Sequence, residues 1–296
     1  MKQTGVIDSA QQTSTSGWIN GFIGVLLFSG SMPATKVAVL ELDPIFVTAA
    51  RAGIAGILAL LCLLVFKEKR PTKKQLLPLF IVAIGGVIGF PLLSALALQY
   101  ITSAHSLVFL GTLPMCTAVF AVWRGGEKPK SIFWLFSILG CLLVVGFAFM
   151  QGVTSSPIGD ILMLIAILLC GLSYAEGAKL SKSLGGWQVI SWAVVLSLPV
   201  SIPIMLITAP EVPSLISTEA WIGVSYLGIF SMFVGFVFWY KGLAQGGIAS
   251  VGQLQLLQPF FGLALAASLL NEQVSTAMIA VTVGVILCVA GSKKFG

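Results

Sequence analysis

The sequence predicts an all-α integral membrane fold, with ten transmembrane helices arranged as two inverted five-helix repeats around a central cavity. Three observations lead there: the composition, the spacing of the apolar runs, and an internal repeat with an odd number of spans. Of 296 residues, 57% are hydrophobic and only 9% are charged, against about 25% charged in an ordinary soluble domain. Mean hydropathy is +1.04. A soluble fold of this length needs more charge to cover its surface, which argues against a soluble enzyme and against a nucleic-acid binder. A lipid bilayer is the solvent that accepts such a surface. The net charge of +6 then matters through its placement more than its sum.

A helix crosses the hydrocarbon core with an apolar run of about 20 residues. Dividing the chain at Pro, Gly and charge clusters gives ten such runs, near 18–37, 44–66, 76–98, 103–123, 131–150, 160–181, 186–207, 220–241, 248–270 and 275–292. They imply a polar cytoplasmic N-terminus over 1–17, a first five-span unit over 18–150 and a second over 151–296. The opening residues are polar, so the first span reads as retained and not as a cleaved leader. Fourteen of the 16 basic residues fall on one side of this ladder, from Lys2 through the cluster Lys67–Lys74 to Lys293 and Lys294. The opposite loops hold Glu41, Asp43, Asp160, Glu211, Glu219 and Glu272 without a base. The positive-inside rule therefore expects both termini in the cytoplasm, in a multi-pass protein of the cell inner membrane. Six of the tryptophans lie near predicted span ends, where indole anchors to the interface. The five cysteines sit inside apolar runs with no CxxC pair, and no disulfide, metal or cofactor is expected.

The third observation is self-similarity. Residues 98–127 align without a gap on 243–272, a shift of 145, so that Pro114 meets Pro259 and Glu127 meets Glu272. Five spans per repeat is an odd number, so the halves enter the membrane in opposite directions. Inverted repeats with a midplane site between them are a recurring architecture of secondary transporters. Exchange of conformation between such halves opens one site to either side in turn.

Several stretches resemble the EamA-type transporters of the drug/metabolite transporter superfamily. GFIGVLLFSGSMPATKVAVLELDPIFVTAARAGIAG is similar to that family's first two spans, with Lys36, Pro44 and Arg51 at expected positions. LQYITSAHSLVFLGTLPMCTAVFAVWRGGE resembles the fourth span with its closing Pro and Glu. GDILMLIAILLCGLSYAEGAKLSKSL resembles the start of a second unit, so the likeness covers nearly the whole chain. One departure is Phe28-Ser29-Gly30, where many relatives carry a Trp-Gly pair. The resemblance implies a ten-helix basket with a central cavity and export of small metabolites or amino acids.

Charged groups inside a span are the first places to look for mechanism. Arg51 lies about 10 Å into the second span at 1.5 Å per residue. It reads either as a fixed cation for a substrate carboxylate or gate, or as a structural partner of backbone carbonyls, Glu41 or Asp43. Lys36 sits at the outer end of the first span, where it can snorkel. Glu176 is the one carboxylate well inside a predicted span. It reads as a proton-coupling group or as the local partner of Lys179, one turn on. Tyr174 lies beside it, to contact substrate or to pack. His105 is the only histidine and titrates in the physiological range. Gln255 and Gln258 share a face just before Pro259, while Ser29, Ser31 and Thr35 surround Pro33; polar atoms beside a broken backbone suit a ligand or an interhelical hydrogen bond equally. Phe236, Trp239 and Tyr240 form an aromatic face. The glycines, including Gly53, Gly56, Gly85, Gly86 and Gly89, fit close helix packing.

A secondary carrier for a small molecule, with proton coupling and a homodimer both open, is thus the leading class, with the cavity expected among the first, fourth, sixth and ninth spans. A channel is the alternative, although no charged ring or filter repeat is present. A membrane-embedded enzyme would need a catalytic constellation that one His and three Asp do not supply.

Overall fold

The computed structural model describes residues 4–101, 103–150, 156–262, 264 and 276–295. Side chains are described from Thr15 onward within that set, apart from those of 103–105, 107, 108, 148, 276 and 278. Helices make up the architecture, and no strand occurs among the described residues. The first span comprises α1 (Thr4–Ser29) and α2 (Ser31–Val39); α3 (Pro44–Val65) is the second. The third runs as α4 (Lys73–Val82), a π-helical segment (Ala83–Gly89) and α5 (Phe90–Ala97). The fourth and fifth are α6 (Ser103–Trp123) and α7 (Ser131–Met150). In the second half α8 (Pro157–Leu184) and α9 (Gly186–Ile207) are the sixth and seventh. The eighth is α10 (Thr218–Tyr226), a π-helical segment (Leu227–Val234) and α11 (Gly235–Gly246). The ninth opens as α12 (Ile248–Gly252) and a 3-10 turn (Gln253–Leu257), and α13 (Thr276–Phe295) is the tenth.

Among the described residues, six helical stretches are long and apolar enough to cross a membrane: Thr15–Val39, Pro44–Val65, Lys73–Ala97, Pro157–Leu184, Gly186–Ile207 and Thr218–Gly246. Phe109–Gly125 and Ser131–Phe147 are shorter apolar helices. Their outward faces carry Leu61, Leu64, Leu142, Ile161 and Leu206, all more than half exposed. In water such a surface would aggregate; against lipid it is the correct one. The first helix begins earlier than its apolar run, at Thr4, because no Pro or Gly pair separates the polar leader from the span.

The packing obeys the inverted repeat. The second span packs on the seventh, the fourth on the ninth and the fifth on the tenth, each pair joining counterparts of the two halves. The first span packs on the eighth, and the sixth packs on the third in the exchanged arrangement. The two π-helical segments extend the same register: the 145-residue shift carries 83–89 onto 228–234, which lies within Leu227–Val234. Extra residues in a helix of this kind re-aim the side chains that follow, a device frequent at functional sites.

Glycine sets the closest approach. On the first and eighth spans, Gly17, Gly21, Gly242 and Gly246 bring backbone against backbone, and a Cβ on Gly242 would stand 2.5 Å from the amide nitrogen of Gly21. Gly85 does the same for the third span against the Leu169 backbone of the sixth, and Gly89 makes room for the Leu169 side chain. Small residues allow this because dispersion contact and not water exclusion holds helices together in lipid. Gly242→Ala is therefore expected to lower the thermal midpoint of the detergent-solubilised protein, by an overpacking cost of roughly 1–3 kcal/mol. Gly146→Ala meets nothing within 4 Å and lies inside α7, so it is expected to leave the midpoint unchanged or raise it.

Candidate functional site

The site begins with a missing hydrogen bond. Pro33 has no N–H for the carbonyl of Ser29, and the first span breaks between α1 and α2 at Gly30. The carbonyls freed there are served by the second half. The Tyr226 hydroxyl donates to the Leu27 carbonyl at 2.7 Å, and Gln258 Nε2 donates to the Phe28 carbonyl at 3.3 Å. Ser29 turns back on its own helix, its hydroxyl donating to the Val25 carbonyl at 2.7 Å. A side chain at Gly30 would displace the Tyr226 hydroxyl, which stands where its Cβ would be. The ninth span is altered too: its 3-10 turn ends at Leu257, directly before Gln258 and Pro259.

Between these breaks lies a narrow cavity of about 40 Å³, lined by Phe28, Ser31, Met32, Thr35, Arg51, Gly86, Phe90, Pro91, Ser94, Leu110, Leu113, Tyr174, Ser231, Phe236 and Gln258. The first, fourth, sixth and ninth spans all contribute, as expected. The second, third and eighth complete the wall, so the expected set of four spans was too small. The π-helical segments contribute Gly86 and Ser231, counterparts under the 145-residue shift, to its lining.

Arg51 is the one charged residue in this lining. It is 7% exposed, and its Nη2 donates to the Ser231 hydroxyl at 3.0 Å. Ser231 in turn shares a hydrogen bond of 2.7 Å with the hydroxyl of Ser31. The guanidinium Nε is buried without a partner. The carboxylates considered as structural partners are engaged elsewhere. Asp43 caps α3, accepting from the N–H of Ile45 at 2.7 Å and of Phe46 at 3.3 Å. Glu41 accepts from the N–H and hydroxyl of Ser217 at 2.8 and 2.6 Å, joining an outer loop of one half to the other. Those two bonds hold the Glu41 carboxyl below the usual carboxylate range.

Of the residues singled out from the sequence, Ser31, Thr35, Arg51, Tyr174 and Gln258 line the cavity. Trp239 stands one layer behind, fully buried, its ring 5.5 Å from Tyr174 and 6.0 Å from Phe28. Gln255 is buried with neither amide atom at hydrogen-bonding geometry to a partner. Lys36 is exposed in the last turn of α2, where it complements the helix C-terminus and stays off the lining. The side chain of His105, like Glu272, lies outside the described residues.

Glu176 is 2% exposed and pairs with Arg124, at the end of α6, and not with Lys179. Lys179 points outward from α8, while Glu176 faces the fourth span; a spacing of three residues made the pair available but packing assigned another. Glu127, noticed in the sequence only as half of a repeated Pro–Glu pattern, caps the ninth span. Its carboxylate accepts from the N–H of Ile248 and of Ala249 at 2.7 and 2.8 Å, where Gly247 at φ +91° makes the turn that L side chains rarely adopt. A carboxylate there satisfies orphan donors and meets the positive helix end. Ser231 and Tyr226 were missed altogether; a serine inside the apolar run LGIFSMFVGF was the available signal for the first.

Two five-span units folded in opposite senses about a half-polar cavity define the architecture of a membrane carrier. The chain belongs to the EamA-like transporter family, whose model matches residues 15–149 and again 157–292. It is 60% identical over 282 residues to the "Uncharacterized transporter YdeK" of Bacillus subtilis (strain 168), covering 95% of this chain and 98% of that one. An "Uncharacterized transporter" of Archaeoglobus fulgidus is 26% identical over 254 residues, covering 84% and 87%. A solved structure described only as "Crystal structure of protein" shares the fold, with a TM-score of 0.79 at 18% identity over 94% of this chain and 98% of that chain.

Removing one member of the Arg124–Glu176 pair strands the other. Arg124→Ala leaves a carboxylate 2% exposed and is expected to destabilise by about 2 kcal/mol or more. The double variant with Glu176→Gln should recover much of the loss in thermal midpoint. Glu127→Ala is expected to cost about 1 kcal/mol through the lost cap, with Glu127→Gln milder, read in the same melts.

Proposed function

We propose that the protein is a secondary transporter that exports small metabolites, amino acids or amphipathic compounds among them, across the cell inner membrane by alternating access. In this reading the units over 18–150 and 151–296 rock about the cavity, with both termini in the cytoplasm. The observation that carries it is that matched helices of the two halves have different shapes. The first span is broken at Gly30, whereas its counterpart α8 runs unbroken from Pro157 to Leu184. The fourth span continues through Pro114, whereas the ninth holds a 3-10 turn before Pro259. Exchange of these shapes between halves would move the opening of the cavity to the other side. The pairing of Glu176 with Arg124 favours a cycle in which that carboxylate holds the halves together instead of carrying a proton.

Metabolite profiling of the medium of overexpressing cells, followed by flux of the enriched compounds in proteoliposomes, tests direction and cargo. The mechanism is tested by thiol labelling of single cysteines placed at Ser94 and Leu113, with the native cysteines replaced. Labelling from the two membrane faces is expected to change in opposite senses when an exported compound saturates the protein. Labelling that stays constant at both positions, in protein that transports, sinks alternating access.

A further inference from the structure

We infer that the cavity takes a small organic monoanion: a carboxylate on an apolar body, held by Arg51. This rests on the carrier reading above and narrows it to a substrate class.

The lining contains one cation and, among the described residues, no carboxylate. Every described carboxylate near the interface of the halves is already bound: Glu41 to Ser217, Asp43 to the start of α3, Glu68 to Gln188, Glu127 to the start of α12 and Glu176 to Arg124. Arg51, buried in the lining, has no carboxylate partner among the described residues. Its planar fork has five N–H donors, of which Nη2 serves a neutral serine and Nε serves nothing. A guanidinium buried in the hydrocarbon region is tolerated when a counter-charge offsets the loss of water. Here the counter-charge is one that arrives with the ligand, and the fork matches the two oxygens of a carboxylate.

The rest of the wall describes the rest of the ligand. Phe28, Met32, Phe90, Leu113 and Phe236 offer an apolar surface, suited to a hydrocarbon or aromatic body. A second negative charge would find no second cation. An ammonium would find Arg51 facing it and no carboxylate to balance it, which disfavours both amphipathic cations and zwitterions. The hydroxyl chain from Ser31 through Ser231 to Arg51 orients the fork into the cavity, with one hydroxyl from each half. A monoanion leaving an inside-negative cell also moves down the membrane potential, so this substrate class needs no proton-carrying group on the protein.

Three compounds with the same phenyl body separate the charge classes: phenylacetate, phenylalanine and phenethylamine. Binding to the purified full-length protein is read by thermal stabilisation in detergent, and exchange by counterflow in proteoliposomes. Phenylacetate is expected to bind at least about tenfold more tightly than either of the others, the effect of one charge-assisted hydrogen-bonded contact. Arg51→Gln should abolish that preference, while Arg51→Lys restores part of it. Should Arg51→Gln fail to fold, Ser231→Ala keeps the charge and removes the bond that orients it, and is expected to weaken phenylacetate alone. Equal binding of the three, preference for phenethylamine or phenylalanine, or an unchanged preference in Ser231→Ala and Arg51→Gln overturns the inference. Efflux of cationic or zwitterionic metabolites from overexpressing cells would overturn it too while upholding the carrier reading. A folded protein that alters no metabolite in the medium counts against the carrier reading itself.

Discussion

Inside a bilayer every backbone carbonyl must find a donor within the protein, and the carbonyls released at Gly30 find theirs on the opposite half. Tyr226 and Gln258 supply the two bonds. Without them the first span could not bend where it does, since an unserved carbonyl in lipid costs several kcal/mol. The bend brings Ser31 to the hydroxyl of Ser231 and leaves Thr35 and Phe28 on the cavity wall. Phe28 in turn packs edge-on against Phe236, 5.0 Å between ring centres. The break at Gly30 thus propagates into the shape of the cavity and into the contacts that join the halves.

Charge is used sparingly and in the same spirit. Half of the carboxylates described tie a loop or helix end of one half to the other: Glu41 to Ser217, Glu68 to Gln188, Glu127 to the start of the ninth span, and Glu176 to Arg124. The Glu41 and Glu68 contacts are related by the inverted repeat: one ties the first–second loop to the seventh–eighth, the other the second–third loop to the sixth–seventh junction. Basic groups near the other ends have aromatic or backbone company: Lys293 stands 4.9 Å from the ring centre of Trp18, and the amide of Lys130 donates to the Phe295 carbonyl at 3.2 Å. The chain ends and the loop between the fourth and fifth spans therefore gather on one face, in keeping with the clustering of Lys and Arg along the sequence.

Much of the fold was legible in the amino-acid order because the physics is one-dimensional. Apolar run length reports a crossing, and an odd number of crossings per repeat forces inversion. The site was half legible. Proline beside polar residues marked Ser31, Thr35 and Gln258, and a cation within a span marked Arg51. What stayed hidden is azimuth. When every face of a helix is apolar, periodicity does not say which side meets protein and which meets lipid, so Glu176 was matched to Lys179 on its own helix and not to Arg124 across the interface. Lys36 and Trp239 fell off the lining for the same reason, one pointing outward and the other packed a layer too deep. The π-helical segments have no residue signature beyond small side chains such as Gly86 and Ser231, and emerged only as a matched pair in three dimensions.

The glycine contact between the first and eighth spans has a mechanical meaning beyond close packing. Most helix interfaces interlock, ridge into groove, and a shift along the axis must lift side chains out of their sockets. Gly17 and Gly21 against Gly242 and Gly246 bring the backbones together over that stretch, and the register there is pinned by Asn20, whose Nδ2 donates to Gln245 Oε1 at 3.1 Å. Ser31 and Ser231 ride farther along these same two spans. A slip of an ångström or two would have to break the Asn20–Gln245 bond before it parted their hydroxyls and released the side of the guanidinium that they steady. The register of the first and eighth spans and the aim of the Arg51 guanidinium are in this way tied together.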